Sequence, residues 1–214
     1  RLGEANTRKA LGDLLLRTDQ LDPARKAYEH ALDLYQQIDH RLGEANTLQG
    51  LGLLALGDQD AAGAFRRFAS LLDVFRAIDD RLGQQAALGY AARAAAALAE
   101  TDRALLLAGA SLALGWEVDD RFGQSINLGL LLGLFQQADD GLGCVACLAL
   151  YRAVLGQLGD EQRQGEMDEL WRQLEAQAPA EMLAAVVADP RAAILHALAD
   201  ARQRFGDGAP LVRE

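Results

Sequence analysis

The chain has 214 residues, half of them hydrophobic and 24% charged, with a formal net charge of −10. That is enough apolar material for a substantial core, and the composition is that of a folded protein, not a disordered one. The acidic balance argues against a nucleic-acid binder, which needs clustered Lys and Arg to meet phosphates. The basic pairs Arg8-Lys9, Arg25-Lys26 and Arg66-Arg67 each sit beside carboxylates and read as solvated helix faces. No apolar run is expected to approach the roughly 18 residues that cross a membrane; the longest, Leu128 to Phe135, is broken by Gly129 and Gly133. A cytoplasmic location is expected.

In chain order the first signal is RLGEANT at residues 1–7, which returns unchanged at 41–47. It degrades to Arg81-Leu82-Gly83-Gln84 and to Arg121-Phe122-Gly123-Gln124, so four copies start at positions 1, 41, 81 and 121. A fixed period of that size marks stacked supersecondary units, each too small to bury its own apolar face. Between the copies Leu2, Leu42, Leu82 and Phe122 share a position, and Gly3, Gly43, Gly83 and Gly123 share the next. Ala24, Ala64, Ala104 and Cys144 form a column of small residues; Tyr28, Phe68, Ala108 and Leu148 follow at the next helical turn. Spacings of three, four and seven are helical, and each unit accommodates two helices. The first helix of each is expected at 2–17, 42–57, 82–99 and 122–137, the second at 22–39, 61–78, 101–118 and 141–158.

Asp22-Pro23 is expected to start a second helix, with Asp22 as its N-cap and Pro23 in the first turn. Thr101-Asp102 and Asp139-Asp140 are given the same task. At the junctions Asp39-His40, Asp79-Asp80 and Asp119-Asp120, an acidic residue is expected to cap the next helix and complement its dipole. Small residues in the invariant columns let paired helices approach, with Tyr28, Phe68, Tyr35 and Phe75 filling the gaps. The predicted fold is all-α, a right-handed superhelical solenoid of antiparallel helix hairpins. Repeats are expected at 1–40, 41–80, 81–120 and 121–160, then capping helices over 161–205 and a disordered tail at 206–214. The first repeat starts without a cap, so Leu2, Leu11 and Leu14 are expected to meet a preceding repeat or to mediate self-association, and the chain reads as a piece of a longer protein.

The pattern resembles the tetratricopeptide repeat in the longer variety found in kinesin light chains, Pins-type polarity adaptors and bacterial signalling proteins. Leu11-Gly12 and Leu51-Gly52 carry the likeness in the first helices. Ala24, Tyr28 and Ala31-Leu32, with Ala64, Phe68 and Leu71-Leu72, carry it in the second. The resemblance implies a helical scaffold, without catalysis, whose concave face takes a peptide or protein partner. The alternative it leaves open is a sensing arm that regulates a larger signalling ATPase, effector or transcriptional regulator. The family's peptide-clamping Asn does not transfer, because Ala10 and Gly50 stand before the Leu-Gly pairs.

On the helices that line that face, the candidate partner-binding residues are Asn6, Lys9, Asn46, Gln49, Tyr90, Arg93 and Asn127. An amide side chain can hold a peptide backbone because it offers a donor and an acceptor together; for Asn6 and Asn46 the reading as structural or solvated first-turn residues is preferred to binding. The Ala-rich stretch from Ala86 to Ala97 either packs closely or leaves a shallow apolar groove flanked by Tyr90 and Arg93. Cys144 and Cys147 spell C-x-x-C, but they fall inside a helix with no strand nearby, and Cys144 holds a position that is Ala in the other copies. A packing role is expected for both, in preference to redox or zinc chemistry. His30, His40 and His196 share no spacing with a nucleophile or with each other. No phosphate-binding loop or nucleophile elbow is present, and no cofactor or metal is expected.

Overall fold

The computed structural model describes residues 1–176 and 179–206. The expected disordered tail lies outside them beyond Gly206. Eleven α-helices and no strand are found among the described residues. They are α1 Leu2–Arg17, α2 Leu21–Gln37, α3 Arg41–Gly57, α4 Ala61–Ala77, α5 Arg81–Ala97, α6 Thr101–Glu117, α7 Arg121–Gln137, α8 Gly141–Leu158, α9 Glu161–Glu175, α10 Ala180–Ala188 and α11 Pro190–Phe205. The fold is therefore all-α, a repeat array of helix hairpins. It divides into two compact units, Arg1–Leu98 and Ala99–Glu214.

The connections reveal a period of half a repeat. A residue in the left-handed region recurs once per helix: Asp19, Asp39, Gln59, Asp79, Ala99, Asp119, Asp139 and finally Gly159, with φ between 52° and 69°. The following residue turns its N–H back to the last turn of the finished helix, as in His40 N to Tyr35 O at 3.0 Å and Asp140 N to Phe135 O at 2.9 Å. That is the closure of a left-handed C-terminal cap. The same residue begins the next helix: His40, Asp60, Asp80, Asp140 and Asp160 accept the N–H of the third residue on. One position thus ends a helix and starts another, which leaves very short connections between rods of equal length.

This geometry corrects several expected caps. α2 starts at Leu21 after Gln20, so Asp22 and Pro23 lie inside its first turn and Asp22 caps nothing. α6 starts at Thr101 after Glu100, and Asp120 makes no side-chain cap to α7. At the Asp39-His40 junction the acceptor is the His40 imidazole, 3.0 Å from Gly43 N, not an acid. Ile38, Ile78 and Val118 are C-caps, outside the helices, because the left-handed residue follows each. An Ala in that conformation costs about 1–2 kcal/mol, where Asp and Gly are better suited. Ala99→Gly is therefore expected to raise the unfolding free energy by about 0.5–1 kcal/mol after the added freedom of the unfolded chain is subtracted. A shift of the urea midpoint checks it, and an unchanged or lower midpoint would contradict it.

Within the first unit, aromatic rings seat on glycines. A Cβ on Gly12 would lie 2.7 Å from the Tyr28 ring, and one on Gly50 would lie 2.9 Å from its other end. Tyr28 is thus wedged between α1 and α3. Gly52 receives Phe68, Gly43 receives Tyr35 and Gly83 receives Phe75, all with a virtual Cβ at 2.3–2.4 Å. Helices approach this closely because a ring lies flat where a side chain would otherwise begin. The rings' outer ends are also satisfied: Tyr28 donates to Asp13 Oδ1 at 2.8 Å and Tyr35 to Asn6 Oδ1 at 2.7 Å.

In the second unit α6 carries Ala108 and Gly115 at the positions of those aromatics, and its contact with α7 is made differently. Buried Ser111, Gln124, Ser125 and Asn127 occupy that region. Asn127 Nδ2 donates to Ser111 Oγ and to Gly123 O, both at 2.9 Å, and Gln124 Nε2 donates to Gly115 O at 2.8 Å. α9, α10 and α11 all pack on α8, and α11 also reaches α6. There Leu198 fills the space above Gly109, and the Arg191 guanidinium sits 4.7 Å from the Trp116 ring centre. Arg204 pairs with Asp102 at 2.8 Å.

α8 corrects the expectation about apolar runs. Over Gly141–Leu158 its mean hydropathy is 1.5, long and apolar enough to cross a membrane by length and composition. Gly and Ala between the large residues hide this from a search for continuous large side chains. In the fold Val145, Ala146, Cys147, Leu148 and Leu155 are buried against the neighbouring helices.

Candidate binding face

The candidate residues of the first unit fall on α1, α3 and α5, one face per helix. Leu2, Asn6 and Lys9 follow one another at helical spacing on α1; Leu42, Asn46 and Gln49 do so on α3, and Leu82, Ala86 and Arg93 on α5. Between them lie the buried positions that seat the rings, so the exposed strip is what those contacts leave over.

The structure places the candidates unequally. Gln49 Nε2 donates to the Tyr90 hydroxyl at 2.9 Å, and the Tyr90 ring stacks on Phe68 with centroids 5.1 Å apart and planes 20° apart. α3, α4 and α5 are thereby tied at one point, and Tyr90 is half-buried. Asn46 and Arg93 are exposed. Asn6 accepts from Tyr35, and Lys9 pairs with Asp13 at 2.8 Å. Asp13 so joins Lys9 to Tyr28, whose phenol is pushed up by burial first and by the Asp13 hydrogen bond second. Asn127 is the exception: it is buried in the second unit and bonded to Ser111 and Gly123, so it is a packing residue and no part of an exposed face.

Exposed leucines are the part of this face that sequence reasoning missed. Leu42 and Leu82 are each 55% exposed. Taken by itself, the second unit also exposes Phe122 and Ile126 of α7. A column that is apolar in every copy reads as core, and only the three-dimensional packing shows that this one points outward. The signal available in the sequence was the adjacent glycine, which takes the ring and leaves its neighbour outside. The Ala-rich stretch resolves as close packing: Ala87, Ala91, Ala92, Ala94 and Ala95 are fully buried.

No group of three or more His, Cys, Asp or Glu residues suited to a metal is found among the described residues. Cys144 lines a cavity of about 210 Å³ with Leu132, Gln136, Leu148, Leu170, Gln173 and Leu174. Burial, aided by Asp140 and Asp139, pushes its thiol up to about 11, and burial raises Cys147 further. Neither thiol is therefore a ready nucleophile at neutral pH. Iodoacetamide is expected to label the folded chain much more slowly than the urea-unfolded chain at pH 8. Because the folded thiol holds its proton more tightly, the stability it confers is complete below about pH 9 and lost as pH rises towards about 11. Rapid labelling at pH 8, or stability that increases across that alkaline range, would contradict this account.

Geometry of this kind defines a class: a repeat array of antiparallel helix pairs in which small residues on one helix seat large ones on the next. Residues 1–77 match the tetratricopeptide repeat family, and over that stretch the chain is similar to it. Repeats of this family generally mediate protein–protein interaction. No curated protein matches the chain.

Proposed function

We propose that residues 1–98 bind a peptide or an extended segment of a partner protein along the exposed strip of α1, α3 and α5, and that they do so without catalysis. The observation that carries the reading is the recurrence of exposed leucine and asparagine in one register: Leu2 with Asn6, Leu42 with Asn46, and Leu82 continuing the row. An extended chain offers side chains and main-chain amides in alternation. Apolar contacts interleaved with amide side chains match that alternation, since Asn can donate to a carbonyl and accept from an N–H at once. Gln49 and Tyr90 hold the floor of the strip, and Arg93 adds a cation at its α5 end.

The test is a random peptide library selected on the chain, followed by binding to a Leu42→Asp/Asn46→Ala/Leu82→Asp variant. All three positions are exposed, so the fold is expected to survive. Selected peptides are expected to lose at least about tenfold in affinity, about 1.4 kcal/mol. Peptides that bind the variant as well as the parent chain would move the site elsewhere.

A further inference from the structure

In the first unit a ring from each second helix fills the space between two first helices. Tyr28 lies against Gly12 and Gly50, and Phe68 lies against Gly52 and stacks on Tyr90. Around Tyr28 that space is closed by Ala24, Leu51 and Leu54, with Leu16 packed on them. In the second unit α8 offers Leu148 where α2 and α4 offer those rings. The cavity of about 210 Å³ lies there, and its lining repeats the ring site position by position. Leu132 stands where Gly12 and Gly52 do, Cys144 where Ala24 and Ala64 do, Leu170 where Gly50 and Tyr90 do, and Leu174 where Leu54 does. Two positions have become polar: Gln136 replaces Leu16 and Gln173 replaces Leu53. Trp171, in place of Leu51, is engaged by its own neighbours: its N–H donates to Glu175 at 2.6 Å, and the Arg152 guanidinium lies 4.9 Å from the ring centre.

We propose that this cleft between α7, α8 and α9 binds a small uncharged aromatic molecule of one or two fused rings, whose N–H or O–H donor meets Gln173 Oε1. The ring takes the place that Tyr28 and Phe68 fill in the other copies. Leu148 is buried and Leu132, Cys144 and Leu174 are half-buried, whereas Gln136 and Gln173 are exposed, so an apolar floor opens at an amide-bearing mouth. Gln173 Nε2 donates to Glu169 at 3.3 Å, which leaves the amide oxygen to accept from a ligand. Asp139 and Asp140 act on Cys144 and Glu169 adjoins Gln173, so an anionic ligand is disfavoured. Size agrees with the assignment: an apolar cavity of about 150 Å³ accepts benzene, and this one has room for a larger ring. Cys144 contributes space and contact, and the binding is non-covalent. The site lies within the second unit and uses no residue of the strip on α1, α3 and α5.

Indole is the probe, titrated into the full chain by isothermal calorimetry. Saturable binding of a single molecule per chain is expected, together with slower iodoacetamide alkylation of Cys144 at alkaline pH, located by fragmentation mass spectrometry. Benzofuran, which has the same shape without the N–H, is expected to bind about threefold or more weakly, the effect of one hydrogen bond. Gln173→Leu is expected to bring the two ligands to parity. Leu148→Phe restores the ring of the other copies and is expected to weaken indole binding by about tenfold or more, with circular dichroism reporting that the variant is folded. Gln173→Leu alters an exposed side chain, so its result stands whether or not Leu148→Phe folds. No saturable binding of indole, unchanged binding by folded Leu148→Phe, or binding that leaves Cys144 alkylation unaltered overturns the proposal. Benzofuran bound as tightly as indole by the parent chain would overturn the donor contact, and indole-3-acetate bound more tightly than indole would overturn the uncharged class.

Discussion

Phe68→Ala is expected to lower the unfolding free energy of the chain by about 3–5 kcal/mol, the range for removing a fully buried aromatic side chain. The ring has no exposed surface, lies flat over Gly52 of α3 and stacks on Tyr90 of α5. Three helices therefore border the space it would vacate. Collapse into that space is blocked on one side by helix backbone, because Gly52 has no side chain to move inward. Tyr90 would lose its stacking partner, which couples the substitution to the candidate face: the Gln49 contact is expected to loosen along with the core. Urea unfolding followed by circular dichroism measures the effect. Leu14→Ala, at an exposed position, serves as control and is expected to stay within about 0.5 kcal/mol of the parent. A loss below about 1 kcal/mol at Phe68 would show that the ring-on-glycine contact does not hold these helices together.

Gly52→Ala and Gly133→Ala are expected to act with opposite signs. Alanine is the better helix former by about 1 kcal/mol, and both glycines lie inside helices. At Gly133 a new Cβ meets nothing within 4 Å, so stability is expected to increase by about 0.5–1 kcal/mol. At Gly52 the Cβ would stand 2.4 Å from the buried Phe68 ring. The ring cannot retreat without disturbing Tyr90, and overpacking of this kind costs about 1–3 kcal/mol. A net loss is expected there despite the gain in helix propensity. Thermal melts of the two variants beside the parent decide it; stabilisation of both would mean that glycine in these columns reflects nothing about packing.

Much of the fold was legible because repetition multiplies weak signals. One copy of Leu-Gly is ambiguous, but copies recurring in constant register fix helix type, pairing and number. The ends of the helices were less legible. Asp22-Pro23 looks like a start signal, yet the turn closed by left-handed Asp19 commits Gln20 to that role. The half-repeat spacing is hidden because its key position holds Asp, Gln, Ala and Gly, which share a backbone conformation and little else. The binding face was read less well. Gln49 and Tyr90 are joined by a hydrogen bond and Arg93 is exposed, whereas Asn127 turns inward, where α6 lacks the aromatic rings that fill the corresponding gaps in the first unit. A polar residue on a helix face is exposed only if its neighbours are large enough to bury something else, and that depends on a helix far from it in sequence.

The short connections have a consequence for how such a chain can change length. Each left-handed residue fixes the rotational phase of the next rod, so inserting a single residue would swing every ring-bearing position off its glycine. Losing half a repeat would set a ring-bearing helix where a glycine-bearing one belongs. Excising the segment 41–80 does neither. It joins His40 to Arg81, brings Tyr35 onto Gly83 in place of Phe75, and leaves an acceptor side chain at the cap. The molecule can therefore be shortened or extended only by whole repeats, and at each such step the new junction finds a partner surface already cut to fit.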